Sequence, residues 1–289
     1  MKKIISKISI LLFLIGVNVS CDYVTNVNPP VDPTTGPVSN VIYRKVLVED
    51  YTGHKCGNCP AAAIVLSGLE TTFPGKIVPL AIHAGFFATT NVAYPTSFTT
   101  TAGNAYDVLF GNSAAGNPNG LVNRVGYGTG SFIKAYSIWS SEVAILAAQP
   151  AKFQIKIKNT FNTATNLLNT DITVKSLASN LGSYKLVVLL SQDGIIAEQL
   201  DYTLPVGSQN VLNYEFNHVL RGAINSEWGD VVFPAAASIN DSIVKSYTGF
   251  SVNSTYNAAK CHVIAFVYDA DAASPTFYEV LQVEEEKVK

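Results

Sequence analysis

Hydrophobic and polar positions follow two different rhythms along this chain. Between residues 41 and 149 the pattern switches between strand-like and helix-like periods. VIYRKVLVEDYTG alternates, is rich in β-formers and ends at Gly53, which predicts a strand. AAAIVLSGLETTF then places Ala62, Val65, Leu66 and Leu69 on one helical face, and Pro74-Gly75 closes the segment. Lys76 to Ala84 is continuously apolar and reads as a buried strand, although Pro79 removes one ladder donor. Thr101 to Phe110 fits a short helix with Tyr106, Leu109 and Phe110 facing inward. A strand over GLVNRV follows Pro118. Tyr136 to Gln149 then reads as a closing helix with a Trp139, Val143, Leu146 stripe, stopped by Pro150. This β-α-β-α-β-(β)-α order predicts an α/β arrangement with a mixed central sheet. Gly85 to Thr100 has no clear period and reads either as an insertion lining one side of a site or as a packed surface loop.

From Ala151 the helical period fades and alternation of period two takes over. AKFQIKIKNT, DITVKSLA, YKLVVLLSQDGIIAEQLDYTL, VLNYEFNHVL, DSIVKSYTGFSV, CHVIAFVYDA and FYEVLQVE are separated by Gly, Pro, Asn and Asp. Seven or eight short strands predict an antiparallel, immunoglobulin-like β-sandwich over residues 150–289, after an α/β domain over 41–149. No chemical motif stands out in this half. Cys261 reads as a buried free thiol, with a third redox cysteine as the alternative. Trp228 reads as a core plug or a contact residue.

The first forty residues read as an address and a tether. Lys2, Lys3 and Lys7 precede an apolar stretch from Ile8 to Val17, the length of a signal-peptide core and too short to span a bilayer. Ser20-Cys21 follows where a cut is expected. Residues 1–20 thus resemble a lipoprotein signal, with Cys21 as the lipid-attachment residue; an ordinary secretory signal is the alternative. Residues 21–40 hold Pro29, Pro30, Pro33 and Pro37, which favour an extended spacer. Composition adds exclusions. With 48% hydrophobic and 14% charged residues the chain is not of the disordered class. A formal net charge of -2 offers no basic footprint for nucleic acid, and four cysteines are too few for a disulfide-built fold.

The candidate chemistry sits between the first strand and the first helix, at Cys56-Gly57-Asn58-Cys59-Pro60. A C-x-x-C at a helix start sets the first sulfur near unpaired backbone N–H groups and the positive end of the helix dipole, which favours the thiolate. Lys55 adds positive charge. Cys56 is therefore expected to attack and Cys59, one turn further in, to resolve the mixed disulfide. Two alternatives stay open: a structural disulfide of the same spacing, and half of a metal site. Zinc would need two more ligands, and no second C-x-x-C or H-x-x-x-H supplies them, so no metal or cofactor is expected.

VLVEDYTGHKCGNCP resembles the strand, acid-aromatic step and Cys-Gly-x-Cys turn of the thioredoxin superfamily, over roughly Val41 to Gln149. That resemblance implies a thioredoxin-like domain. It implies that Asp50 is the buried acid that aids proton transfer from the resolving cysteine, and that Pro118 is the cis-proline that helps dock an extended peptide. Strand alternation puts Glu49 and Asp50 on opposite faces, so only one of them is expected to point inward. Lys55 stands where the superfamily has Trp, and Asn58 where it has Pro. From Val41 to the C-terminus the chain also resembles the outer-membrane-protein-28-related lipoproteins. The residues that carry this are the E-D-Y-T-G strand end before C-x-N-C-P, P-N-G-x-V-N-R, N-H-V-L-R-G with E-W-G, and V-I-A-F-V-Y-D with E-V-L-Q. It implies a Gram-negative outer-membrane location and a thioredoxin-like domain beside a β-rich one, with Arg124 of V-N-R in a structural role. The expected function is thiol–disulfide exchange on envelope proteins or peptides, with the membrane reached through Cys21. The alternative is a non-catalytic binding or assembly module stapled by the same disulfide.

Overall fold

A computed structural model of the chain describes residues 41–128, 130–233 and 236–289. The signal segment, Cys21 and the tether lie outside the described residues. Among those described, no helix is long and apolar enough to cross a membrane.

The first part runs β1 (Val46–Thr52), α1 (Cys59–Thr72), β2 (Ile77–His83), α2 (Thr101–Phe110), α3 (Asn112–Ala115), β3 (Asn119–Val122) and α4 (Trp139–Ala147). Strands follow: β4 (Phe153–Asn162), β5 (Leu167–Ser176), β6 (Asn180–Leu181), β7 (Tyr184–Gln192), β8 (Ile195–Leu200) and β9 (Asn210–Phe216). The chain ends with β10 (Val219–Ala223), β11 (Asp230–Phe233), β12 (Ala236–Ala237), β13 (Ser242–Ser251), β14 (Cys261–Asp269) and β15 (Val280–Lys287). The helices bury the faces their periods mark: Ala62, Leu66 and Leu69 on α1, and Trp139, Val143 and Leu146 on α4. On α2, Tyr106 and Phe110 are buried as expected, whereas Leu109 is 43% exposed.

The fold is β-rich, and its main sheet corrects the expected sandwich. β7, β10, β11, β14 and β15 do not form a separate immunoglobulin-like pair of sheets. They extend the sheet of β1–β3 in the order β15-β14-β7-β10-β2-β1-β3, with β11 also on β7. The join is parallel, Val219 beside Ala81, with the Ala81 N–H donating to the His218 carbonyl. Residues 41–289 make one compact unit, so residue 150 marks a change of secondary structure that hydrogen bonding crosses. Alternation reports which face a residue takes and says nothing of which strand lies beside it, so the sequence could not reveal this join. Pro79 fits for the same reason. Its missing donor would point to the β10 side, as that of Ala81 does, and β10 reaches β2 only at Ala81.

Both faces of this sheet are covered. Leu186, Val188 and Leu190 of β7 share a core with the three-stranded sheet β13-β5-β4, while Val187 and Leu189 share another with α2. β1 behaves alike: Val46 and Val48 pack with α1 and α4, and Leu47 and Tyr51 with α2. Glu49 and Asp50 are on opposite faces as expected, but both are buried, which corrects the expectation that only one points inward: β1 is covered on both sides.

Glu49 is neutralised by Arg124, whose Nε and NH2 donate to its two carboxylate oxygens at 2.8 and 2.6 Å. The guanidinium lies 4.5, 5.2 and 4.9 Å from the ring centroids of Tyr106, Phe110 and Phe266. Reaching it takes two successive left-handed residues after β3, Asn123 at φ 46° and Arg124 at φ 52°. Asn123 holds that turn, accepting the Leu47 N–H on its side-chain oxygen at 2.7 Å and the Val280 N–H on its carbonyl at 2.8 Å. Arg124→Met alone leaves a buried carboxylate uncompensated, and urea unfolding should show a loss of about 3–5 kcal/mol. Adding Glu49→Leu should restore most of that loss.

Candidate functional site

The candidate site forms where β1 turns into α1. The turn is tight: the Cys56 N–H donates to the Gly53 carbonyl at 2.9 Å and the Cys59 N–H to the Cys56 carbonyl at 3.1 Å. Pro60 sits in the first turn of α1, where no N–H is needed. Cys56 and Cys59 are joined as a disulfide with Cα atoms 5.4 Å apart. α1 begins at Cys59 itself, so the second cysteine opens the helix and the first lies on the turn before it, rather than one turn earlier within it. The two residues are only 3% and 2% exposed.

The β8–β9 hairpin, a two-stranded sheet of its own, accounts for part of this burial. The Leu200 N–H donates to the His54 carbonyl at 2.8 Å, and the Tyr202 N–H to the Gly57 carbonyl at 2.7 Å. The Gln199 side-chain amide donates to the Cys56 carbonyl at 3.1 Å. A Cβ on Gly57 would come within 2.5 Å of the Tyr202 ring, so the strap lies directly on the C-x-x-C backbone. Residues 86–98 approach from another side. The Phe87 carbonyl accepts the Lys55 N–H, the Thr89 carbonyl lies 3.1 Å from His54 Nε2, and Tyr94 stacks on the His54 ring. The unpatterned 85–100 segment thus packs against the cysteine turn. Lys55 is engaged there: its Nζ donates to Thr89 Oγ1 at 2.5 Å and lies 4.5 Å from the Phe86 ring centroid.

Behind the cysteines lies a cavity of about 290 Å³. Asp50, Cys59, Glu70, His83, Gln199, Tyr214 and His218 contribute to its walls. Asp50 Oδ1 has no hydrogen-bond partner among protein groups, and neither has either ring nitrogen of His83. Burial pushes the Asp50 carboxyl up to about 7, with His218 pulling the other way. Burial pulls His83 down to about 3, assisted by His54 and Arg221, so the ring is neutral between Phe98 and Phe216 at 4.8 and 5.6 Å. His83 is thus packed in the core with neither ring nitrogen hydrogen-bonded to protein.

Pro118 follows a cis peptide bond from Asn117. β3 starts at the next residue, and Asn119 is the register partner of Tyr51, so the proline stands by the end of β1 from which the cysteine turn departs. Cys261 is a buried free thiol at the start of β14, raised to about 11 by burial. Trp228 is half-buried and packs edge-on to Tyr106. Among the described residues no group of three His, Cys, Asp or Glu side chains could hold a metal ion. Sequence reasoning missed the strap, Glu70 and the placement of His218. The strap and His218 come from the second half of the chain, which the β10–β2 join brings beside α1, whereas Glu70 lies on α1 itself and gains its place in the site only from His218 opposite it.

The fold and site define a β-rich, mixed-sheet protein carrying a Cys-x-x-Cys disulfide between a strand and a helix. The family model of outer membrane protein Omp28 matches residues 104–289, and the chain belongs to that family. The matched segment begins after the cysteine pair. Among solved structures, HBP35 of Porphyromonas gingivalis shares the fold at a TM-score of 0.60 and 13% identity, over 86% of this chain and 76% of that one. A protein from Agrobacterium tumefaciens gives a TM-score of 0.48 at 15% identity, over 86% of this chain and 96% of that one. No curated protein matches the chain in sequence.

Two measurements check this geometry. Tyr202→Ala should speed reduction of the Cys56–Cys59 disulfide by dithiothreitol about fivefold, the factor given by roughly 1 kcal/mol of lost closing contact. For Asp50 the folded carboxyl titrates above its unfolded value, so the folded state binds the extra proton and stability falls as pH rises from about 4 to 7. Asp50→Asn should remove that fall, leaving the variant more stable than the parent above neutrality by up to roughly 4 kcal/mol in urea melts.

Proposed function

We propose that this chain is an envelope lipoprotein, held at the membrane by diacylated Cys21, that exchanges disulfides with envelope proteins through a thioredoxin-like Cys56–Cys59 unit. The observation that carries the reading is the cavity joining Cys59 to an unpartnered, fully buried Asp50. A carboxyl that ionises near neutrality beside the second cysteine is a proton acceptor of matched strength for a thiol. A purely structural disulfide has no use for it, and its ionised form costs stability. The β1-α1-β2 unit with its C-x-x-C at the helix start, and the cis-proline entering antiparallel β3, support the thioredoxin-like assignment.

The chemistry runs as follows for the reducing direction. The Cys56 thiolate attacks one sulfur of a substrate disulfide, forming a mixed disulfide and releasing the other substrate sulfur as a thiolate. Cys59 then gives its proton to the Asp50 carboxylate, and its thiolate attacks Cys56 Sγ. The Cys56–Cys59 bond forms, the bond to substrate breaks, and the second substrate sulfur leaves as a thiolate that takes a proton from water. Two electrons pass from the cysteine pair to the substrate. The strap over residues 54–57 must lift for a protein disulfide to reach Cys56. Its own N–H groups on the His54 and Gly57 carbonyls occupy part of the turn's backbone bonding capacity.

One observation favours a second reading, in which the disulfide staples a binding or assembly module: both cysteines are nearly inaccessible beneath the hairpin. Two experiments separate the readings. Cys59→Ser should trap envelope proteins on Cys56 as mixed disulfides recoverable from whole cells, and an empty trap would count for the staple. A reduction potential below about -300 mV would also mark the bond as structural.

A further inference from the structure

The cavity behind the cysteines has an inner and an outer end. Asp50, Ala81 and His83 form its strand-built base, and Cys59, Pro60 and Ser67 of α1 one wall. At the outer end the Nε2 of His218 lies 3.4 Å from Glu70 Oε2, with the two side chains 25% and 37% exposed. Of the titratable groups in the cavity wall, these two form an ion pair that is open to solvent. The volume, about 290 Å³, has room for several water molecules, and the unpartnered Asp50 Oδ1 and His83 nitrogens supply polar partners for them.

We infer that His218 is a positioning residue for the cysteine chemistry: set at the cavity mouth between Glu70 and the buried Asp50, it governs when Asp50 can accept the Cys59 proton. This rests on reading Cys56–Cys59 as a redox pair. His218 is held in place independently of that role. It takes a left-handed conformation, φ 58°, with its N–H donating to Asp193 Oδ1 at 2.7 Å and its carbonyl joining β10 to β2. The charged groups around it come from every neighbouring element: Glu70 of α1, Asp193 of the β7–β8 turn, Glu285 of β15, His262 of β14 and Asp50 of β1. Asp193 lies 3.4 Å from both His218 Nδ1 and His262 Nε2, and His262 Nδ1 lies 3.7 Å from Glu285. Burial alone would discharge His218, but Glu70, Asp193 and Glu285 outweigh it and favour the cation. A cation at the mouth stabilises the Asp50 carboxylate, the form that takes a proton. Without it Asp50 stays protonated to higher pH, and Cys59 loses its acceptor in the neutral range.

The test uses the folded chain with Cys56 carrying a thionitrobenzoate as mixed disulfide. Attack by Cys59 releases the coloured thiolate, which is read against pH, while the Asp50 carboxyl is titrated by carbon-13 NMR. His218→Asn removes the charge and tolerates the left-handed backbone. It should move both the release midpoint and the Asp50 titration upward by about one pH unit, the size of a single nearby charge effect. His218→Lys should bring both back toward the parent. Glu70→Gln, at a partly exposed helix position that cannot unfold the strand join, should shift both in the same upward direction by weakening the His218 cation. If none of these variants moves the Asp50 titration, the inference is overturned. If the parent releases no thionitrobenzoate, the redox reading fails instead, and the NMR titration alone still decides whether His218 governs Asp50.

Discussion

Everything in this molecule turns on β1 being buried on both faces while carrying two consecutive acids. A half-exposed strand can send one of two neighbouring carboxylates to water. β1 cannot, because α1 and α4 cover one side and the α2 core the other. The fold meets the two buried charges in opposite ways. Glu49 receives a bidentate guanidinium enclosed by three aromatic rings, reached through two left-handed residues. Asp50 receives no ionic partner within hydrogen-bond reach, only space and a histidine at a distance. Satisfying Glu49 makes a rigid anchor between β1 and β3. Leaving Asp50 unsatisfied lets its proton move near neutral pH, at a cost in stability that the rest of the sheet offsets.

The site is assembled from both halves of the chain, which is why residues 41–289 behave as one unit. The first half supplies the cysteines, Asp50 and α1. The second supplies Gln199, Tyr214 and His218 through the β8–β9 hairpin and the strand β10 that docks on β2. Among the described residues the two strands of the hairpin pair in a sheet with each other alone, and the hairpin exposes Ile196, Tyr202, Val206 and Leu212. Two-stranded ribbons are marginal alone, so a cover of this kind opens at lower free energy than the eight-stranded sheet beneath it. Burial of the disulfide and access to it are therefore compatible.

How much of this could be read from the sequence follows from the range of each interaction. The α1 face, the C-x-x-C turn, the Trp139 stripe and the buried Cys261 are set by local period and neighbouring residues and are legible, whereas on α2 the period misplaced Leu109, which is exposed. The cis bond at Pro118 came only through resemblance, since nothing local distinguishes it from a trans loop proline. Sheet order was not legible: β7, β14 and β15 alternate as sandwich strands do, yet they extend the sheet that β1 and β2 begin. The strap was invisible because its grip is made by backbone N–H groups of residues 200 and 202, which any sequence would offer. Nothing local marks His218, and its position becomes clear only when β10 places it beside Glu70 of α1.

The family match sharpens this division. It begins at residue 104, beyond Asp50 and both cysteines, and covers the strap and His218. Membership therefore rests on the frame that encloses the cavity, while the Cys56–Cys59 disulfide and Asp50 lie outside the match. The two are coupled by geometry. Gln199 cannot reach the Cys56 carbonyl, nor His218 the cavity mouth, unless β10 pairs beside β2, and β2 lies in register with β1 from Val46 to Thr52. A frame that needed only to bind a partner could close that space with apolar side chains. Here it keeps a buried acid, two unpartnered imidazole nitrogens and an opening past His218, so the polar lining is retained at a cost in stability that apolar packing would have avoided.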